Sequence, residues 1–392
     1  MRGQFKRFLL ITLLAAAFAG LLAACEQNSD EGGGGTETAA AQDGNGVVGA
    51  SGRSWQLNVA GGGITRIGFV YSGPLSDVGE VGAQEEARKA LDALPNVNTL
   101  VRDSIPANET AQIAIDEMVN EGCTVIVGTS YRLMNCLYDA ARRHPDIQFL
   151  QCQGYKTRPN LSVFFGRMYE ARYLTGMVAG LMTSSGIVGY VAAVPLPEVI
   201  CELNAFALGV MEVNPQAQVR VAWTNSWDNP TLERQTALAL IKIGADVLAQ
   251  HQDSLGVQAA AEEQGVHSIG YNTDMSKFAP HAHLTAAVFH WQAFYDSVVK
   301  QLRQGTFKSG MFWPGMSDGV VDIALYSDAV PKAVRQRVDK RRREIIAGDF
   351  VVFTGPVYDQ SGLQRIPAGQ AANDRELLGM NWLAKGVAGG LE

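Results

Sequence analysis

Residues 66–87 read RIGFVYSGPLSDVGEVGAQEEA, and this stretch decides the fold. Residues 67–71 are a short apolar run bounded by turn formers, the pattern of a buried strand. Ser72-Gly73-Pro74 breaks that pattern, and Ser76 and Asp77 carry side chains that cap helix starts. From residue 80 to 94 the composition favours helix. Strand, loop and helix make the first step of an α/β domain, where ligands sit beyond the carboxyl ends of the strands. The loop at 72–79 is therefore expected to face a ligand.

Working outward, the same step recurs. Strands are expected at 99–102, 123–128, 147–150 and 161–165, with helices at 109–121 and 131–143 between them. A helix at 169–182 ends at Ser184-Ser185-Gly186, and a second series follows. Its strands fall at 187–194, 219–223, 247–250 and 268–271, its helices at 198–213, 230–243 and 256–264. Alternation of this kind predicts βαβ units and parallel sheets, here in two lobes. The remainder, a strand at 284–289, a helix at 291–303, a strand at 319–325 and a helix at 331–347, must revisit both lobes. The last helix contains Lys340-Arg341-Arg342-Arg343, read either as a solvated face or as a docking surface for an acidic partner. Residues 354–367, rich in turn formers, read as a tail over the surface.

The N-terminus is a separate matter. Arg2, Lys6 and Arg7 precede an apolar run at 8–19, and Leu22-Ala23-Ala24-Cys25 ends it, which is the form of a secretory leader. The tetrapeptide resembles a bacterial lipoprotein cleavage site, so Cys25 is expected to be acylated; a plain signal peptide or an N-terminal membrane helix with an incidental Cys is the alternative. Residues 26–53 include four consecutive glycines and few apolar side chains, so they read as a flexible tether. The chain has 32 Lys and Arg against 39 Asp and Glu, and removing the three basic residues of the leader leaves a net charge of −10. That balance excludes the basic footprint of a nucleic-acid binder. Cys123, Cys136, Cys152 and Cys201 lack metal-ligand spacing and read as buried thiols, a Cys136–Cys152 disulfide being the alternative.

Catalytic signatures are missing. The first βα turn is not G-x-G-x-x-G, and neither a phosphate-binding P-loop nor a G-x-S-x-G elbow occurs. His281 and His283 have no third ligand nearby and read as part of a surface loop. What remains is a set of polar and aromatic residues at strand ends: Asp77 and Glu80; Thr129-Ser130-Tyr131; Gln153-Gly154-Tyr155-Lys156; Asn225-Ser226-Trp227; His251-Gln252-Asp253-Ser254; and Asn272-Thr273-Asp274. Aromatic faces with carboxylates and amides suit a small planar ligand bearing hydrogen-bond donors. Each of these residues could instead cap the helix that follows, Ser130, Asp253 and Thr273 most of all.

Several stretches carry a resemblance: FVYSGPLSDVG (69–79), GTSYRLM (128–134), RMYEARYLTGMVAG (167–180), GYVAAVPLPEVI (189–200), VNPQAQVRVAWTNSWDNP (213–230), AQHQDS (249–254) and DMSKFAPHAHLTA (274–286). The chain resembles the basic membrane protein family of solute-binding lipoproteins that serve ABC importers, and within it the adenine-binding branch. The resemblance implies a type I periplasmic binding protein fold, with two Rossmann-like lobes crossing near 165–168, 287–291 and 319–323. The expected organisation is a leader at 1–24, a tether at 25–60, one lobe from 61–166 plus 290–317, a second from 167–287 plus 318–350, and a surface tail at 351–392. It also implies a monomer without cofactor, metal or enzymatic activity, lipid-anchored outside the cytoplasm, that passes a purine to a membrane permease.

In that branch two tryptophans sandwich the purine and a carboxylate accepts its N–H groups. The second tryptophan corresponds to Trp227 and the carboxylate to Asp253. The first would close a G-D-x-G-W motif, but the sequence here is Ser76-Asp77-Val78-Gly79-Glu80, so Glu80 stands in its place. Asp77, Tyr131 and Asp274 complete the expected set. Two carboxylates in one cleft favour a cationic or donor-rich ligand, which leaves a same-fold binding or sensory protein for a different solute as the alternative reading. A secreted nucleosidase is the enzymatic alternative.

Overall fold

The computed structural model describes residues 47–55 and 64–391. The leader, Cys25 and most of the tether lie outside the described residues. The first lobe is built from β1 (Val47–Trp55), β2 (Thr65–Val70), α1 (Glu80–Asp92), β3 (Val97–Arg102), α2 (Glu109–Asn120), β4 (Val125–Gly128), α3 (Met134–Arg143), β5 (Gln148–Cys152) and β6 (Leu161–Phe164). The second contains α4 (Tyr169–Met182), β7 (Ile187–Ala192), α5 (Pro197–Val213), β8 (Gln218–Trp223), α6 (Pro230–Lys242), β9 (Val247–His251), α7 (Gly256–Gln264), β10 (His267–Asn272) and β11 (His283–Phe289). The chain then returns through α8 (Trp291–Gln304) and β12 (Phe307–Phe312) to the first sheet, and through β13 (Val321–Ile323) and α9 (Lys332–Ala347) to the second. A tail with β14 (Val357–Tyr358), β15 (Gln364–Ile366), α10 (Asp374–Leu378) and β16 (Val387–Ala388) follows.

Two seven-stranded sheets result, ordered β1-β12-β6-β5-β4-β2-β3 and β13-β11-β10-β9-β7-β8-β16. Only β1 and β13, both at edges, run antiparallel to their neighbours. The central strands β4, β5, β6, β9 and β11 are buried along their whole length, as expected for parallel strands covered by helices on both faces.

Three segments depart from the sequence reading. Residues 47–55, placed above at the end of the tether, form a strand on the first sheet with Val47 opposite Phe312 and Trp55 opposite Phe307. Val47, Val48 and Trp55 favour extended backbone, and β12 would otherwise present an unpaired edge. The strand β12 itself was not anticipated, because Lys308-Ser309-Gly310 interrupts its apolar pattern. The tail goes deeper than a surface strap: Leu377, Met380, Leu383, Ala384 and Val387 are buried, and β16 extends the second sheet beside β8.

Smaller differences concern single residues. His283 is buried as the first residue of β11, where burial lowers it to about 4, while His281 is exposed and bonded to Glu262. All four described cysteines are free and buried. In the basic helix α9, Arg341 pairs with Glu212 and Arg342 with Asp322, so part of its charge is answered within the protein.

Candidate ligand-binding cleft

The two sheets are joined by three crossings, at 165–168, at His290 and at 313–320. They are stitched to one another. Phe165 N–H donates to Phe312 O, Arg167 N–H to Pro314 O, and Trp313 Nε1–H to Gly166 O at 3.0 Å. The Phe289 and Trp291 rings stack at 4.4 Å. The Arg167 guanidinium makes two bonds, 2.8 and 2.7 Å, to Asp374 of the tail and lies 4.4 Å from the Trp313 ring. This hinge sets where the strand ends of the two lobes meet.

On the first-lobe side, the loop after β2 delivers Asp77 and Glu80. Neither Ser76 nor Asp77 caps α1. Gly79 is the N-cap, and its N–H donates to Asp77 Oδ1 at 2.5 Å. Glu80 is the first residue of α1, half-buried next to Ser130. Burial and the neighbouring Asp253 and Asp77 carboxylates hold it well above the ordinary glutamate range. Beneath it Gln84, fully buried, donates to Cys152 Sγ and accepts from the Tyr295 hydroxyl. Tyr131 opens the short turn before α3. It is about half exposed and close enough to Tyr155 and the second lobe's Glu198 to be raised by them, after burial.

On the second-lobe side, Trp227 and Asp253 come from adjacent loops, and Asp253 N–H donates to Trp227 O at 2.8 Å. Asp253 Oδ1 accepts from Asn272 Nδ2 at 2.8 Å, so the side chain reads out neighbouring polar groups and caps no helix. Burial, then Asp77, push its carboxyl up to about 7, against the lowering effect of Asn272. Thr273 caps nothing either, because its hydroxyl donates across the cleft to Val78 O at 2.7 Å. Ser130 makes no side-chain cap bond. Asp274 stands apart from this group: exposed, it accepts from Ser276 N–H and lies 3.6 Å from His283 Nε2.

Trp227 rests on an internal layer that sequence reading passed over. Its ring meets His251 edge-on at 5.8 Å, and His251 packs 4.5 Å from Tyr271. His251 Nδ1 is 3.5 Å from Glu202, whose carboxylate accepts from Arg172 Nε at 3.1 Å. Arg172 also donates to Gln250 O at 2.8 Å and lies 4.1 Å from the Tyr271 ring; its Nη2 has no hydrogen-bond partner among the described residues. Burial pushes Glu202 up to about 7 and holds His251 well below its ordinary value. Two glycines set this layer. A Cβ on Gly176 would meet Phe206 O at 2.1 Å, and one on Gly209 would meet Tyr173 O at 2.0 Å, so only glycine lets α4 and α5 approach closely enough to join Arg172 to Glu202. One signal was available: Arg172 and Glu202 each sit between buried apolar residues, Ala171 and Tyr173 in α4 and Cys201 and Leu203 in α5.

The lobes are closed on one another at the Glu80–Asp253 end. A Cβ on Gly79 would lie 2.5 Å from Asp253 O and 2.7 Å from Asp253 Cβ. Free volume remains toward the hinge, a cavity of about 90 Å³ lined by Gln153 and Gly154 of the first lobe, Phe165, Tyr169 and Trp313 of the hinge, Glu198, Cys201 and Glu202 of α5, and Leu377 and Leu378 of the tail. That cavity does not include Trp227 or Asp253. Among the described residues no group of three or more His, Cys, Asp or Glu is placed to hold a metal ion, and no helix is long and apolar enough to cross a membrane.

With this geometry in view, comparisons with known proteins are informative. Residues 64–352 match the family described as ABC transporter substrate-binding protein, PnrA-like. The chain is 37% identical over 324 residues, 82% of its length and 92% of the relative's, to a purine-binding protein of Brucella abortus. It is 33% identical over 292 residues, 74% of each, to a putative ABC transporter glucose-binding protein of Haloferax volcanii. Among solved structures, a solute-binding protein of an ABC transporter system from Conexibacter woesei is similar with a TM-score of 0.65 at 22% identity, covering 73% of this chain and 98% of that one; this similarity concerns the fold.

Proposed function

The chain belongs to the PnrA-like family of ABC transporter substrate-binding proteins, and from that premise we propose that its solute is a purine, base or nucleoside, held between Trp227 and the carboxylates of the cleft. The fold is that of type I periplasmic binding proteins. Like its family, the protein works outside the cytoplasm, binds a small molecule and delivers it to an ABC permease; it is not an enzyme.

The observation that carries the purine reading is the joining of Trp227 and Asp253. A backbone hydrogen bond joins the loops that carry an aromatic face and a carboxylate, and the N-terminus of α1 closes against Asp253. A flat heterocycle stacks on the indole while its N–H groups donate to Asp253. Glu80 and Asp77 add acceptors from the opposite lobe, and Tyr131 borders the route toward the hinge. Asp274, turned toward Ser276 and His283, supports the loop and leaves the ligand to its neighbours. The anchor is a lipid on Cys25, and the tether lets a monomeric body reach its permease. Incorporation of a labelled fatty acid that Cys25→Ser abolishes tests the anchor.

The deciding experiment is calorimetric titration of the refolded, ligand-free protein against adenine, guanine, adenosine, guanosine, inosine and glucose. Micromolar or tighter binding of one purine, about −8 kcal/mol or better, is the expected result. Binding of glucose with silence across the purines would replace the reading with a sugar, since an aromatic face beside carboxylates also fits a sugar ring.

A further inference from the structure

The closed cleft lacks a positive charge where its geometry asks for one. Glu80 belongs to the first lobe and Asp253 to the second, and closure presses Gly79 against Asp253 while Thr273 bonds Val78 O. Among the described residues neither carboxylate is paired with a base. The groups acting on them are Asp77 from the loop after β2, Ser130 and Arg132 after β4, Asp228 after β8, Glu233 on α6, and Asn272 at the end of β10, with Cys152 and Tyr295 beside Glu80 and Tyr271 beside Asp253. Only Arg132 is a cation, and it is exposed. The surplus of acceptors continues behind the site, where Glu233 Oε1 and Gln252 Oε1 are buried and have no hydrogen-bond partner among the described residues.

We propose that the ligand of this cleft is a heteroaromatic base that carries a positive charge, an N-alkylated purine or one with an equivalent amidinium edge, stacked on Trp227 with its charge between Glu80 and Asp253. This rests on the purine reading above. A cation over an indole face is attracted by the ring quadrupole, which offsets the absence of a tryptophan at position 80. It also removes the repulsion that two carboxylates meet when lobes bearing one each come together. A neutral purine brings donors and no charge, so one carboxylate must take up a proton as the cleft closes. Its affinity then falls as pH rises toward neutrality, whereas the affinity of a cation holds. Burial already drives both carboxyls toward their neutral forms in the closed cleft, in line with that demand.

The test compares 1-methyladenine and 1-methyladenosine, which carry charge near neutrality, with their neutral N6-methyl isomers and unmethylated parents. Titration of the wild type in two buffers of different ionisation enthalpy gives affinity and proton uptake together and needs no variant. The 1-methyl compound is expected to bind about tenfold or more tighter than its neutral isomer, without net proton uptake. Glu80→Gln should bring that ratio to within about threefold. A neutral purine that binds the wild type as tightly as the cation, or a ratio that Glu80→Gln leaves unchanged, overturns the charge proposal while the purine reading stands. Silence toward every purine in either charge state removes both.

Discussion

Glu202 in the core of the second lobe and Asp253 on its cleft edge are both pushed up to about 7 by burial. Their surroundings differ in kind. Glu202 has a fixed cation, Arg172, brought to it by two glycines that let α4 and α5 touch, and His251 stands neutral beside the pair. Asp253 has a single amide donor on its own lobe, and what faces it across the cleft is Glu80, another acid. A buried charge that is answered within one rigid lobe serves the fold. One left facing a like charge across a moving interface is a place where something from outside belongs.

The contrast is open to attack from its structural side first. Arg172→Met strands Glu202 in the core and should lower stability by about 3–5 kcal/mol in urea unfolding, with the paired change Arg172→Met/Glu202→Leu recovering most of it. A single variant within about 1 kcal/mol of the wild type would erase the difference between the two regions. From the cleft side, Gly79→Ala puts a methyl group into the Asp253 backbone only when the lobes are closed. It should weaken every ligand by about 1–3 kcal/mol, because the added methyl group acts against the closed arrangement of the lobes. Trp227→Ala should cost about 1–3 kcal/mol for an aromatic ligand, with closure itself intact by small-angle scattering. Equal loss of closure in both variants would mean that Trp227 holds the lobes and not the solute.

Much of this arrangement was legible in the sequence because it is local. The helices at 169–182 and 256–264 coincide with α4 and α7, since apolar spacing and a following turn or glycine determine both ends. Likewise the loops at strand ends follow from βα alternation alone. What escaped is set by long-range contact. The strand β12 carries Lys308-Ser309-Gly310 in its middle and makes sense only between β1 and β6. Arg167 and Asp374, 207 positions apart, have no periodicity to connect them. Ser130, Asp253 and Thr273 read as caps because cap and ligand chemistry use the same side chains at the same place. Only the partners they take, Asn272 for Asp253 and Val78 O for Thr273, separate the two uses.

The smallest expected effect bears on Asp253 most directly. Its carboxyl is raised to about 7 in the folded protein, against about 3.9 for an unfolded aspartate. A raised acid favours the folded state in its protonated form, so Asp253 carries no penalty below the unfolded value. The penalty grows as pH climbs from about 4 to about 7 and is constant above. Asp253→Asn removes the titration and keeps the shape. Its unfolding midpoint should therefore match the wild type at pH about 4, where both side chains are neutral and both keep an oxygen that accepts from Asn272, and rise relative to it up to about 7. His251 and His283, lowered by burial, give the wild type an opposite trend through part of the same window, but they are common to both proteins and cancel in the difference. Repeating the series with a saturating cationic ligand should flatten it, because the ligand then supplies the charge that the proton replaced. A difference that stays constant across the whole range, with and without ligand, would place Asp253 with Glu202 as an acid whose needs are met inside its own lobe.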